Sequence, residues 1–253
     1  MKKIIHLFAL FLFIFAACGR QQPDGNPTGP NAPESTTLQP LQVIDLLPNI
    51  PEPSGLAFNR AKNTLLVVSD AKPDIFEISL DGTLLRILPA AGSDLEGVAV
   101  TQTGDTLYVV EERNRLVVSF DAASRRLNSF RVDVATMENS GLEGVAVDSQ
   151  GHIWILNEKE PRMLLEFAGS RELRRKEISF VSDLSGICAD ASGGALWIVS
   201  DESRKVIKIT NSGELLSEWL IPFAKGEGIA FANDKMYIVN DETAKLYVFV
   251  VPK

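Results

Sequence analysis

The sequence predicts an all-β fold, a five-bladed β-propeller with four-stranded blades. Two observations carry this. A strand–turn–strand unit recurs five times, and its aligned glycines, Gly55, Gly97, Gly144, Gly186 and Gly228, are spaced by 42, 47, 42 and 42 residues. Between these glycines the apolar runs are short and bounded by turn residues, and no stretch reads as a helix. A period in the low forties with four strands per repeat is what a propeller blade needs.

The repeats justify the elements in order. PEPSGLAFNRAKNTLLVVSD opens the first copy, DLEGVAVTQTGDTLYVVEER the second and GLEGVAVDSQGHIWILNEKE the third. LSGICADASGGALWIVSDES and GEGIAFANDKMYIVNDET open the fourth and fifth. Each reads as a strand, a polar turn and a second strand, with turn chemistry at Gln102–Asp105, Ser149–Gly151 and Ala191–Gly194. Two more strands follow in each of the first four copies: Asp74–Leu80 and Leu84–Leu88, Arg115–Phe120 and Leu127–Val134, Arg162–Phe167 and Leu173–Phe180, Val206–Thr210 and Leu215–Ile221. The fifth copy ends after a third strand, Lys245–Val251. The stretch Leu41–Leu47, LQVIDLL, supplies the missing one and closes the ring between the two ends of the chain. Six blades, with a divergent one near Val134–Gly141, would need more chain than there is.

The first residues read MKKIIHLFALFLFIFAACGR. Lys2 and Lys3 precede an apolar run, Ile4–Ala17, broken only by His6. That run is short for a bilayer span and fits a signal-peptide core. Phe15-Ala16-Ala17-Cys18-Gly19 resembles the bacterial lipobox, although Phe15 stands where leucine is usual. The resemblance implies that residues 1–18 are a lipoprotein signal peptide ending at Cys18, which carries lipid and anchors the chain without spanning the membrane. The alternative is an ordinary cleaved secretory signal. Gly19 is not the aspartate that retains some lipoproteins at the inner membrane, which favours the outer membrane. Residues 19–40, rich in Pro, Gly, Asn and Gln, read as a disordered tether, and residues 41–253 as the propeller domain.

The whole chain of 253 residues is 45% hydrophobic with a net charge of −8, and its basic residues do not cluster. Nucleic acid is therefore not an expected partner, and cations or basic ligands are. Cys188 lies in the apolar stretch SGICAD and reads as a small buried hydrophobe. His152 is the one histidine after the signal segment, so neither a His-based triad nor a zinc site is supported. Trp154, Trp197, Tyr108 and Tyr237 share one place in the second strands and read as inter-blade core.

The ordered strand openings, Pro53-Ser54-Gly55, Asp94-Leu95-Glu96-Gly97, Gly141-Leu142-Glu143-Gly144, Leu184-Ser185-Gly186 and Gly226-Glu227-Gly228, resemble the SdiA-regulated, YjiK-like propellers of the bacterial envelope. The resemblance covers Leu41 to the C-terminus. It implies a fold and an envelope location, and no particular reaction.

In a propeller the first strand of each blade lines the central channel. Ser54, Glu96, Glu143, Ser185 and Glu227, each just before an aligned glycine, are therefore expected to ring the channel mouth. Asp70, Glu112, Glu158, Asp201 and Asp241 follow the second strands and are expected on the same face, farther out. Confined carboxylates need a cation, a basic ligand or protons. All-oxygen ligation suits Ca²⁺ or Mg²⁺ rather than zinc. The competing reading is that each acid accepts backbone N–H bonds and fixes its own loop. For the outer five, present in every blade, this structural reading is the stronger. Two functions follow, with a purely structural or scaffolding role in the envelope as a third reading. One is a lipid-anchored binding module that presents an acidic, Ca²⁺-holding mouth to a ligand or envelope protein. The alternative is a Ca²⁺-dependent hydrolase, by resemblance to phytase and lactonase propellers, with Glu143 or Glu227 as base and Lys225 as the nearby cation.

Overall fold

A computed structural model describes residues 36–134 and 140–253. The signal segment, Cys18 and most of the tether lie outside the described residues. Ser35–Lys253 forms one compact unit.

The chain begins with β1 (Gln42–Asp45). Blade 1 follows as β2 (Pro53–Asn59), β3 (Thr64–Ser69), β4 (Lys72–Ile78) and β5 (Leu84–Pro89). Blade 2 is β6 (Leu95–Val100), β7 (Thr106–Glu111), β8 (Leu116–Asp121) and β9 (Arg126–Arg131). Blade 3 is β10 (Leu142–Val147), β11 (Ile153–Asn157), β12 (Met163–Ala168) and β13 (Arg171–Glu177). Blade 4 is β14 (Ile187–Ala189), β15 (Ala195–Ser200), β16 (Lys205–Thr210) and β17 (Leu215–Leu220). Blade 5 is β18 (Gly226–Ala232), β19 (Lys235–Asn240) and β20 (Lys245–Val250), completed by β1. Every sheet is antiparallel, and β1 pairs with β20 from Gln42–Val248 to Asp45–Lys245. The ring closes as the sequence predicts.

The middles of the second strands are apolar because both their faces are largely buried. Leu65 and Val67 of β3 join a core with Tyr237, Val239 and Leu246 of blade 5, while Leu66 and Val68 join one with Val98, Leu107 and Val109 of blade 2. The same division holds around the ring, so each of five apolar clusters belongs to two neighbouring blades. No blade has a core of its own, and stability comes from closing the circle.

The end of the segment read as tether departs from that reading. Thr37 bridges Leu220 in parallel, with the Leu38 N–H donating to the Leu220 carbonyl at 2.8 Å and the Leu220 N–H to that of Thr36 at 3.1 Å. Leu38 packs with Trp219 and Phe223. Residues 36–40 thus belong to the folded unit, covering part of the open edge of β17.

The aligned glycines sit where adjacent first strands meet at the axis. A Cβ on Gly97 would lie 2.5 Å from the Glu143 carbonyl oxygen and 2.9 Å from the Val145 nitrogen. Gly55 stands so against blade 2, Gly144 and Gly186 against blades 4 and 5, and Gly228 against Gly55 and Leu56 of blade 1. All the obstructing partners include backbone, which has no room to yield. Gly97→Ala is expected to destabilise the ring by about 2 kcal/mol, lowering Tm by about 4–8 °C. Gly194→Ala, with nothing within 4 Å of its Cβ, is the silent control. Equal melting of the two variants would refute the close approach.

Candidate functional site: the acidic channel mouth

A bulge aims the inner residues. In blade 1 Pro53 pairs with Ser69 and Gly55 with Val68, which leaves Ser54 out of the ladder. Glu96 is skipped in the same way between Leu95–Glu111 and Gly97–Val110. In blades 3 and 5 the register shifts between Leu142 and Val145, and between Gly226 and Ile229, around Glu143 and Glu227. An extra residue in one strand re-aims its side chain. This is how a carboxylate comes to stand at the head of a buried apolar strand.

The three glutamates converge. Burial first, then Asp70, Glu227 and Glu112, holds the Glu96 carboxyl well above the usual carboxylate range. Burial, then Glu96 and Glu227, does the same to Glu143. Glu227 is pushed up to about 7 by burial and Asp201, against the opposing pull of Lys225 and the hydroxyl of Ser185. Each glutamate keeps some solvent contact through the channel while protein encloses it on the other sides. No salt bridge reaches any of the three among the described residues.

The two serines are spent differently. The Ser54 hydroxyl, 5% exposed, donates to the Leu95 carbonyl of blade 2 at 2.5 Å. The Ser185 hydroxyl lies 3.1 Å from Asp183 Oδ2. Ser54 serves loop structure, Ser185 also hydrogen-bonds the Glu227 carboxyl, and the open ligand positions are carboxylates.

The outer acids lie on the same face, and two kinds can be told apart. Glu112 accepts the Gly141 N–H of blade 3 at 3.1 Å, and Asp201 accepts the backbone N–H of Lys225 and its ammonium, the latter at 2.9 Å. These carboxylates tie one blade to the next. Asp70, Glu158 and Asp241 accept no backbone N–H among the described residues, and burial raises all three. Glu158 is offset by Lys159 at 2.7 Å. The loops themselves are fixed chiefly by main chain. The N–H groups of Asp70, Glu112, Glu158 and Asp241 donate to the carbonyls of Glu52, Asp94, Gly141 and Lys225 at 3.1, 3.0, 2.9 and 3.1 Å.

Inner and outer acids combine into two groups. Carboxylate oxygens of Asp70, Asp94 and Glu96 lie within 4.8 Å of one another, and so do those of Glu112, Glu143 and Glu158. Two oxygens bound to one Ca²⁺ at about 2.3–2.6 Å stand at most about 5 Å apart, so the oxygen spacing in both groups is compatible with that ion. Each group joins an inner glutamate to an outer acid of the preceding blade, Asp70 for Glu96 and Glu112 for Glu143.

Sequence reasoning missed the position two residues before the inner one. Asp94 there completes a triad and also accepts the Arg113 N–H at 3.1 Å. Asp183, the equivalent in blade 4, accepts the N–H groups of Asp201 and Glu202 at 3.0 and 3.1 Å and the hydroxyl of Ser200. The signal was present, since Glu52, Asp94 and Asp183 are acids at one repeat position. Elsewhere the structure adds a second line against thiol chemistry: burial pushes the Cys188 thiol up to about 12.

With this geometry in hand, the chain can be set beside known folds. It is similar to a glutaminyl cyclase of Myxococcus xanthus at a TM-score of 0.65 and 15% identity, covering 85% of this chain and 98% of the other. It is similar to a chain of a nidogen/laminin complex at 0.58 and 15%, covering 79% and 76%. It is similar to a gluconolactonase of Xanthomonas campestris at 0.53 and 15%, covering 83% and 89%. Identities this low speak for the propeller fold alone. A family model covers residues 44–250, and by that match the chain belongs to the SdiA-regulated family.

Proposed function

We propose that the protein is a lipid-anchored binding module of the cell envelope whose acidic channel mouth holds a cation, with Ca²⁺ the ion that fits. One observation carries the reading. Six carboxylates form two groups of Ca²⁺-spanning size, and Glu96 and Glu143 within them have no bonded cation among the described residues. The anchor reading rests on Cys18 and the apolar run before it, and the outer membrane on Gly19. The ligand or envelope partner would meet the mouth through the bound ion.

The hydrolase reading keeps one observation. Glu227, at about 7 and two residues from Lys225, has the protonation balance that a general base needs near neutrality. Ester, lactone and phosphate substrates offered with Ca²⁺ test it, and turnover lost in Glu227→Gln would carry it.

Melting of the full chain in detergent, in EDTA and then in millimolar Ca²⁺, tests the cation site. A ligand at a hundredfold its Kd adds about 2.7 kcal/mol, or about 5–10 °C in Tm. That rise is expected in the native chain and absent from the triple variant Glu96→Gln, Glu143→Gln, Glu227→Gln. No rise in the native chain would leave the glutamates as loop-fixing groups.

A pH dependence follows from the same site. Glu227 binds more protons folded than unfolded between its ordinary 4.5 and about 7, so its contribution is present at low pH and is lost as pH rises through that window. Glu96 and Glu143 act in the same direction. In EDTA, Tm is expected to fall between about pH 5.5 and pH 8, and Ca²⁺ is expected to remove the fall by taking the protons' place. A Tm that climbs over this range in EDTA would show the three glutamates to be held ionised by partners.

A further inference from the structure

The other end of the channel has the opposite chemistry. Beyond the glycines lies a cavity of about 690 Å³, walled by residues of all five first strands. The residue three past each aligned glycine is Phe58, Val100, Val147, Ala189 or Phe231. All five line the cavity, all are apolar, and all are only partly buried. In a chain whose other first-strand apolar positions are largely covered, this is an apolar wall turned toward an open space. Trp197 also lines it, with the Lys208 ammonium 4.8 Å above its ring.

The rim sorts into charges in use and charges free. Asp148 accepts the N–H groups of Gln150 and His152, both at 2.9 Å, and the Trp154 indole at 3.0 Å. Asp190 accepts the Ser192 N–H at 2.9 Å, the Trp197 indole at 3.2 Å and Lys208 at 3.1 Å. Both acids fix turns and cannot easily take a further donor. Arg60 and Lys235 line the same rim, are exposed, and have no side-chain partner among the described residues. Asp148, Asp190 and Asp234 balance Arg60, Lys208 and Lys235 in formal charge, so the rim is distinguished by two cations, Arg60 and Lys235, whose donors are not engaged among the described residues.

We propose that this cavity binds a small amphiphilic anion, with an acyl or aromatic body inside the apolar wall and one carboxylate-like head at Arg60 and Lys235. The volume is that of an ordinary small-ligand site, and a few polar groups at the mouth of an apolar pocket fix orientation. The site is separate from the acidic mouth and stands whether or not that mouth holds a cation.

Ser35–Lys253 holds all twenty strands and closes its own ring, so it serves for the test without detergent. Calorimetric titration would use dodecanoate and naphthoate below their aggregation limits, with dodecyltrimethylammonium as the cationic counterpart. Saturable binding of at least one anion, tighter than the cation by about tenfold or more, is expected, and which anion binds tells an acyl from an aromatic body. Arg60→Glu with Lys235→Glu, on the exposed rim, is expected to abolish that preference. Val147→Trp, which fills the lumen, is expected to abolish binding while the circular dichroism is unchanged. No saturable binding, equal binding of anion and cation, or binding indifferent to the rim reversal would overturn the proposal; the rim variant keeps this decisive even if the Trp variant fails to fold.

Discussion

Five main chains meet at the axis, and only a residue without a side chain lets them. At each aligned glycine a Cβ would fall within 3 Å of the neighbouring blade's backbone. The approach is mutual around the ring, from Gly55 through Gly97, Gly144, Gly186 and Gly228 back to Gly55 and Leu56. Much else follows from it. In blades 1, 2, 3 and 5 the close approach brings the bulge before the glycine to the centre. The bulge takes one residue out of the ladder and turns it into the channel mouth. That residue is Ser54, Glu96, Glu143 or Glu227, while Ser185 of blade 4 stands ahead of β14, whose ladder has no shift. The glycine constriction therefore decides at once how the blades close and where the carboxylates point.

The electrostatics of the mouth are costly by construction. Two ionised carboxylates about 5 Å apart repel by about 3 kcal/mol at an effective dielectric of 20, before any desolvation is counted. Such a site is tolerated when something neutralises it. At the periphery the neutralising groups are visible: Arg113 beside Asp94, Lys159 beside Glu158 and Lys225 beside Asp201. Among the described residues the ion pairs of these cations fall on the outer acids and Asp94. The sequence confines its cations to the outer ring and leaves the inner acids to protons or to an added ion. A purely structural set of acids would be expected to pair inward as well, as Glu77 does with Arg86 and Thr64 on the flank of blade 1.

Much of the fold was legible because the repeat is regular. Turn residues and glycine spacing fixed blade number, and the odd strand Leu41–Leu47 found its place at β20. Strand ends moved by up to three residues, as at β13, which stops at Glu177 because Ile178 turns inward into a core. The site was less legible. Which inner acid meets which outer one depends on the bulge and on the neighbouring blade, and neither is written in one repeat. Asp94 and Asp183 were hidden because their repeat position also holds Gly141 and Lys225. Docking of Thr36–Leu38 was hidden because a polar stretch gives no sign of the edge it will cover. The wall of Phe58, Val100, Val147, Ala189 and Phe231 read as ordinary core, since an apolar residue in a strand looks the same whether it faces a neighbour or a void.

The two ends of the channel are thus set by different parts of one strand. Before the glycine, the repeat places oxygen. Three residues after it, the repeat places carbon. Between them the backbones of adjacent first strands approach too closely for a side chain. A ligand at one end can influence the other by shifting the blades themselves. Because every core belongs to two blades, such a shift is shared around the ring. A cation that draws Glu96 and Glu143 toward their partners in blades 1 and 2 would tighten the interfaces between blades 1 and 2 and between blades 2 and 3. Those same first strands, β2, β6 and β10, carry Phe58, Val100 and Val147 at their far ends. The short path from mouth to cavity runs along three strands and through two glycine contacts, stiff elements with little room for slack.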